Sequence, residues 1–262
     1  MNYRIISPFI DVYRCREVLF NMVSQHLKVK YRRTYFGYLW SLLNPILQLT
    51  VLTMVFSHVV RLNMKDYILY LFSGLVVWNF LSACIQQGGV AILENEHFIK
   101  TIYIPKLIFP LAKMILAAVD FFSSLVALTV IGLFLGLKFP VTMALLPLAV
   151  VPMFAFCFGV LLLVCVGTVY FRDIQYLSAV FLQLFYFLTP IIYPFDMIPP
   201  QFQQVLKLNP ILYEVVPFQK LIYYGQIPSV AEWGAAYGVG FLFLLGGLTT
   251  LLVFEDELIF RM

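Results

Sequence analysis

Chemistry in this chain has few residues to work with. Arg32 and Arg33 stand side by side, two planar guanidinium forks of the kind that grip phosphate or carboxylate oxygens. Glu94, Glu96, His97 and Lys100 form an island of both signs inside "LENEHFIKTIYIPK", residues 93–106, with Phe98 and Ile99 beside them. Lys113 and Asp120 lie seven apart, on one helix face but about 10.5 Å from each other, too far for a direct pair. Lys113 can snorkel toward the inner surface, whereas Asp120 lies too deep to do so.

Catalytic constellations are missing. No GxxxxGK[ST], GxSxG or HExxH pattern occurs, so the chain has no usual means of holding nucleotide phosphates, a serine nucleophile or a catalytic zinc. His26, His58 and His97 are too scattered for a metal cluster. Cys15, Cys84, Cys157 and Cys165 show no CxxC spacing and read as free thiols, three of them buried in apolar runs. No metal and no cofactor is expected in this chain. Aromatic residues are 17% of the total, and "FLQLFYFLTPIIYPF" concentrates them. Within it Tyr186, Tyr193 and Phe195 are candidates to stack on sugar rings. Tyr193 and Phe195 also stand where an interfacial aromatic belt would lie, whereas Tyr186 sits deeper.

The elements that must position these residues are membrane elements. Hydrophobic residues make up 62% of the chain and charged ones 11%, against roughly 45–50% and about 25% in soluble domains. A span needs about 20 apolar residues, and six segments qualify: 37–60, 67–93, 107–136, 144–169, 175–193 and 233–254. Seven basic residues (Arg4, Arg14, Arg16, Lys28, Lys30, Arg32, Arg33) precede the first, which places the N-terminus in the cytoplasm. An even count brings the C-terminus back to the same side, and 12 of the 17 Lys and Arg then lie inside. The net charge of +4 follows this topogenic bias, and nucleic acid is not an expected partner. Residues 1–33 lack the apolar core and cleavage site of a signal peptide. They read as an amphipathic interface segment, with Val12, Tyr13, Leu19, Phe20, Val23 and Leu27 on one face.

Residues 194–232 hold six prolines among short apolar pieces. The pieces are too short to span and are expected to dip back as a re-entrant pair, either a lid over a pathway or a passive outer cap. The fold class expected is thus an all-α integral membrane protein with six transmembrane helices, an N-terminal interface helix and re-entrant outer helices before the last span. Asp120 falls near mid-membrane, where an unpaired carboxylate costs at least ~2.5 kcal/mol. It must face protein or water, as a structural bond or as an ion relay.

"KYRRTYFGYLWSLLNPILQLTVLTMVF", residues 30–56, resembles the opening of the membrane subunits of type-2 ABC exporters for polysaccharides, the family that handles O-antigen, capsule and teichoic acid. The resembling residues are Tyr31, Arg32 and Arg33, then Gly37, Trp40 and Pro45 as structural positions in and before the first span. Pro45 is also a kink donor on physical grounds. "KLIFPLAK" at 106–113, "YFRDIQYL" at 170–177 and "TPIIYP" at 189–194 continue the likeness, which covers essentially the whole chain.

The resemblance implies a homodimer enclosing a glycan channel in the bacterial inner membrane, with both termini cytoplasmic. It implies two copies of a separate cytoplasmic ATPase that supplies ATP and Mg chemistry, and a cargo carried on undecaprenyl pyrophosphate. By analogy Arg32 and Arg33 meet the lipid pyrophosphate, and Glu94 to Lys100 meet the ATPase, with Phe98 and Ile99 as anchors. Two other readings stay open here: an ABC exporter of a hydrophobic small molecule or drug, and a stand-alone ion-coupled carrier using Asp120.

Overall fold

A computed structural model describes residues 10–60, 64–102 and 104–261, and every regular element among them is helical. Ten α-helices follow in chain order: α1 (Arg16–Tyr31), α2 (Leu39–Val60), α3 (Met64–Gly88), α4 (Glu96–Thr101), α5 (Ile108–Leu135), α6 (Leu146–Tyr170), α7 (Asp173–Leu188), α8 (Pro200–Leu206), α9 (Pro210–Gln219) and α10 (Val230–Arg261). A π turn, Lys220–Tyr224, continues α9. Arg4 and the first third of the expected interface segment lie outside the described residues.

Among the described residues five helices, α2, α3, α5, α6 and α10, are long and apolar enough to cross a membrane. The fifth expected span falls short. It stops at Leu188 after 16 residues, about 24 Å of rise against the ~30 Å of a hydrocarbon core. Pro190 explains the early end, because a residue before proline is pushed out of the α region, and Thr189 is extended (φ −104°, ψ 132°). Residues 189–193 then run on as an irregular strap. Similarly α3 ends at Gly88 rather than at residue 93, where the Gly88–Gly89 pair weakens the helix. The last helix runs longer than expected. Hydropathy marks where the chain stops being apolar, whereas α10 continues through Glu255, Asp256 and Glu257 to Arg261.

Packing centres on α3, whose Tyr67, Tyr70, Leu71, Phe80, Leu81 and Cys84 are buried, and which touches α2, α5, α6, α7 and α9. The most extensive pair is α6 with α10, and glycine sets its closeness. A Cβ on Gly159 would sit 2.2 Å from the Phe243 carbonyl carbon, and one on Gly240 2.5 Å from the Pro152 oxygen. The two backbones touch where small residues allow it, the usual device for helices in a medium that offers no hydrophobic drive between them.

Two ends of the bundle can be told apart by their contacts. At one, the α4 end, the Lys106 ammonium donates to the Glu255 carbonyl and the Tyr170 hydroxyl to Glu257 (2.8 Å). Lys113 meets Glu94 at 2.7 Å, and a side chain on Gly167 would strike Ile174. At the other, the α9 end, the strap is held by neutral hydrogen bonds. The Tyr67 hydroxyl donates to the Ile192 carbonyl (2.8 Å), and Tyr70 to those of Pro190 (2.8 Å) and Tyr193 (2.7 Å). Gln219 donates to Pro190 as well (2.6 Å), and Asn209 to the Thr189 hydroxyl (2.8 Å). Thus α7 with its strap joins the level of Gly167 to the level of Tyr67.

Helix α1 packs on α5. Val12, Leu19, Met22, Val23 and Leu27 are half-buried, while Tyr13 and Phe20 stay exposed, so the expected apolar face is divided between protein and surroundings. The segment between α7 and α10 does form short helices. Of these α9 is buried, with Phe218 touching Phe121 at 6.4 Å, and α8 is largely exposed.

Candidate functional site

Polar residues at helical spacing line an open groove of about 1160 Å³ between α2, α3, α5 and α7. Ser41, Asn44 and Gln48 recur on α2 at i, i+3, i+7, one face of the helix. Asn79, Ser82 and Gln86 do the same on α3, and Gln183 and Tyr186 on α7. Each stripe interrupts an apolar helix, where a polar group facing lipid would go unpaired. Turned toward one another they find partners. The Asn79 amide donates to the Gln48 carbonyl at 3.0 Å and the Gln86 amide to the Ser82 hydroxyl at 2.8 Å.

Two tryptophans and a tyrosine complete the wall. The Trp78 and Tyr186 rings lie 5.3 Å apart, and Trp40 stands at the rim. Amides and hydroxyls that both donate and accept, set beside aromatic faces, suit a ligand with many hydroxyls and apolar ring faces. The groove exceeds the roughly 300–1,000 Å³ of ordinary small-molecule pockets. It fits an extended ligand.

A charged pair closes one side. The Lys30 ammonium, at the end of α1, reaches both Asp120 oxygens at 2.8 and 2.7 Å, and both residues line the groove. Burial alone would lower the Lys30 pKa, but the bond to Asp120 outweighs it and holds the ammonium above its ordinary range. Ser123, three residues on, bonds Tyr38 at 2.5 Å. These contacts pin the turn between α1 and α2 to α5. Asp120 thus has its partner 90 residues away in sequence, and Lys113 has its own in Glu94.

The other candidate residues separate. Tyr186 lies in the groove, but Tyr193 sits in the strap with its hydroxyl on the Phe187 carbonyl, and Phe195 lines a second cavity at the α9 end. Arg32 and Arg33 are exposed just beyond Lys30 and Tyr31, and Arg33 takes a left-handed conformation (φ 60°). That conformation is disfavoured for a residue with a Cβ. Gly37 (φ 51°) turns the chain into α2 with open space around it, so conformation, not room, is its requirement. Pro45 lies inside α2 and lines the groove.

In the 94–100 island, Lys100 pairs with Glu96, and His97 and Phe98 are exposed. Ile99 is buried in the chain's own core, so Phe98 and Ile102 are the apolar side chains presented outward. The Glu96 pKa is lowered, first by the hydrogen bond from Lys100.

Asn44, Gln48, Trp78, Asn79, Gln86 and Gln183 were not singled out from the sequence. For the amides the signal was present as spacings of four (Asn44, Gln48) and seven (Asn79, Gln86) within apolar runs. Among the described residues, no group of three or more His, Cys, Asp or Glu is placed to hold a metal ion.

A profile of the family described as "ABC-2 type transporter" matches residues 17–223. The chain is 27% identical over 236 residues to the "O-antigen export system permease protein RfbA" of Myxococcus xanthus, covering 89% of this chain and 91% of that protein. A protein of the same description from Klebsiella pneumoniae is 24% identical over 233 residues (88% and 90% covered). The "Polysialic acid transport protein KpsM" of Escherichia coli is 23% identical over 206 residues (78% and 80%).

Proposed function

The chain belongs to the ABC-2 type transporter family, and from that premise we propose that it is the membrane subunit of an ATP-driven exporter of lipid-linked polysaccharide. The observation that carries the cargo is the groove. Opposed amide stripes with Trp78 and Tyr186 suit a hydroxylated chain better than an apolar drug, which would leave those amides unpaired. The permease names of the relatives support the same cargo. The Lys30 partner gives Asp120 a structural role and removes the solitary acid on which an ion-coupled carrier would depend.

In this reading the α4 end is cytoplasmic. Helix α7 with its strap makes a sixth crossing, and both termini lie on the cytoplasmic side of the bacterial inner membrane. A second copy closes the groove into a channel, and two copies of a cytoplasmic ATPase dock at α4 through Glu94, Glu96, His97, Phe98 and Lys100. Nucleotide-driven motion passes from α4 to α5 through the Glu94–Lys113 bridge. Arg32 and Arg33 receive the pyrophosphate of an undecaprenyl carrier at the groove mouth, and residues 194–232 gate the exit.

Deleting the gene tests the cargo directly. Surface glycan, read on a gel, is expected to disappear and to return with the wild-type gene but not with a Gln48→Leu/Trp78→Ala double variant. Unchanged glycan in the deletion strain, with loss of resistance to an apolar drug, would overturn the reading.

A further inference from the structure

The second cavity, about 540 Å³, opens at the α9 end and shares no lining residue with the groove. Pro190 and Gln219 line it, and Gln219 at the same time donates to the Pro190 carbonyl, so a hydrogen-bonded part of the strap forms one wall of this cavity. Phe195, Tyr213 and Tyr224 supply three aromatic side chains. Asp196 stands close enough to Tyr224 to contribute, after burial, to holding that phenol above its ordinary pKa.

Charge selects the class of ligand. Two cations, Lys207 and Lys220, and two anions, Asp196 and Glu232, line the cavity. Glu232 has a structural duty: it caps α10 by accepting from the Ser229 backbone N–H at 2.7 Å, and it binds the Lys220 ammonium at 2.8 Å. Asp196 and Lys207 remain, one of each sign, both exposed and on different segments. A net anion or cation therefore gains no net attraction, and an apolar ligand would strip water from four charges. A neutral ligand with hydroxyls for Asp196 and Lys207, and ring faces for Tyr224 and Phe195, satisfies all of them. The volume falls within the roughly 300–1,000 Å³ of small-molecule sites.

We infer that this cavity is a separate binding site for a short neutral stretch of glycan, an exit station at the α9 end with Pro190 of the strap in its wall. The inference rests on the polysaccharide reading. It assigns Phe195 and Tyr224 to stacking, Asp196 and Lys207 to hydroxyls, and the Lys220–Glu232 pair to holding the wall.

The full chain in lipid nanodiscs tests it. The probe is a labelled set of disaccharides to tetrasaccharides, released by mild acid from the surface glycan of the cells that make this protein and divided into neutral and anionic fractions. The neutral fraction is expected to bind saturably. Tyr224→Ala and the conservative Asp196→Asn each weaken binding by about tenfold, and Phe202→Ala, on the exposed face of α8 outside the cavity, leaves it unchanged. Three results would each overturn the inference: no saturable binding, preference for the anionic fraction, or a loss that follows Phe202→Ala and not Tyr224→Ala. Glycan display in the deletion strain is read in parallel. Absent binding with glycan lost on deletion removes only the exit station, whereas glycan retained on deletion removes the export reading itself.

Discussion

The two ends of the bundle are held by opposite means. The α4 end uses charge at the surface: Glu94 with Lys113, Glu96 with Lys100, and Tyr170 with Glu257. The α9 end uses mainly neutral hydrogen bonds in the interior, among Tyr67, Tyr70, Thr189, Asn209 and Gln219, with one partly exposed ion pair, Lys220–Glu232, beside them. Surface pairs are worth little each and are screened by salt, so they can be broken and remade against another protein. Buried neutral bonds are costly to leave unmade. The α4 end can therefore be rearranged at little cost, whereas the α9 end resists rearrangement.

Glu214 gives the largest expected departure from that contrast. It lies on the buried face of α9, and neither carboxyl oxygen has a hydrogen-bond partner among the described residues. Burial raises its pKa to about 8. The native state therefore keeps a proton that the unfolded chain, with an ordinary value of about 4.3, gives up. Native stability is full below about 4.3 and falls as pH rises toward about 8. Glu214→Leu is expected to remove that slope and to raise stability near neutral pH by about 1–3 kcal/mol, read by thermal unfolding in detergent across pH. A Leu variant no more stable than wild type would mean that the acid is satisfied after all.

Next in size is Tyr70→Phe. It removes the one hydroxyl shared by the Pro190 and Tyr193 carbonyls and an acceptor from Gln219, and only Pro190 keeps another donor, the Gln219 amide, at an expected cost of about 1–3 kcal/mol. Lys113→Gln, at the other end, is expected to cost roughly 0–1 kcal/mol, and less as salt rises. Equal losses from the two substitutions would erase the distinction between the ends.

Reversing Glu94 and Glu96 to Lys is expected to leave the unfolding midpoint nearly unchanged while separating ATP hydrolysis from export in vesicles that contain the ATPase. Full coupling in that variant would return α4 to the role of a connector. The smallest effect belongs to acid. The Glu96 pKa is lowered by Lys100, so the pair is intact above the ordinary carboxylate value and is lost as pH falls through the lowered one. A shallow acid-side loss that disappears in Lys100→Gln is the expected result.

Much of the fold could be read from residue order. Apolar runs marked α2, α3, α5, α6 and α10 to within a few residues, apart from the charged tail of α10. The end of α7 was also written in the chain, since Pro190 forbids Thr189 a helical conformation, but hydropathy alone carried the expected span past it. Phe195 and Tyr193 read like Tyr186 as aromatic residues of one stretch. The strap that follows Leu188 sends them to three different environments. Ile99 read as an anchor beside Phe98, and a single turn of helix puts it inside.

Composition, helical period and proline position are local properties of the chain. By themselves they determined that this protein is helical, that it is built for a membrane, and that it has no nucleotide loop of its own. Which polar stripes face each other was decided only by tertiary structure. Lys30 finds Asp120, Asn79 finds Gln48, and Gln219 finds the strap because the helices pack in one arrangement, with glycines setting the closest approach of α6 and α10. Sequence spacing fixes the face on which a side chain stands. Only packing fixes what stands opposite, because hydrogen bonds and ion pairs act through a few ångströms of space and not along the chain.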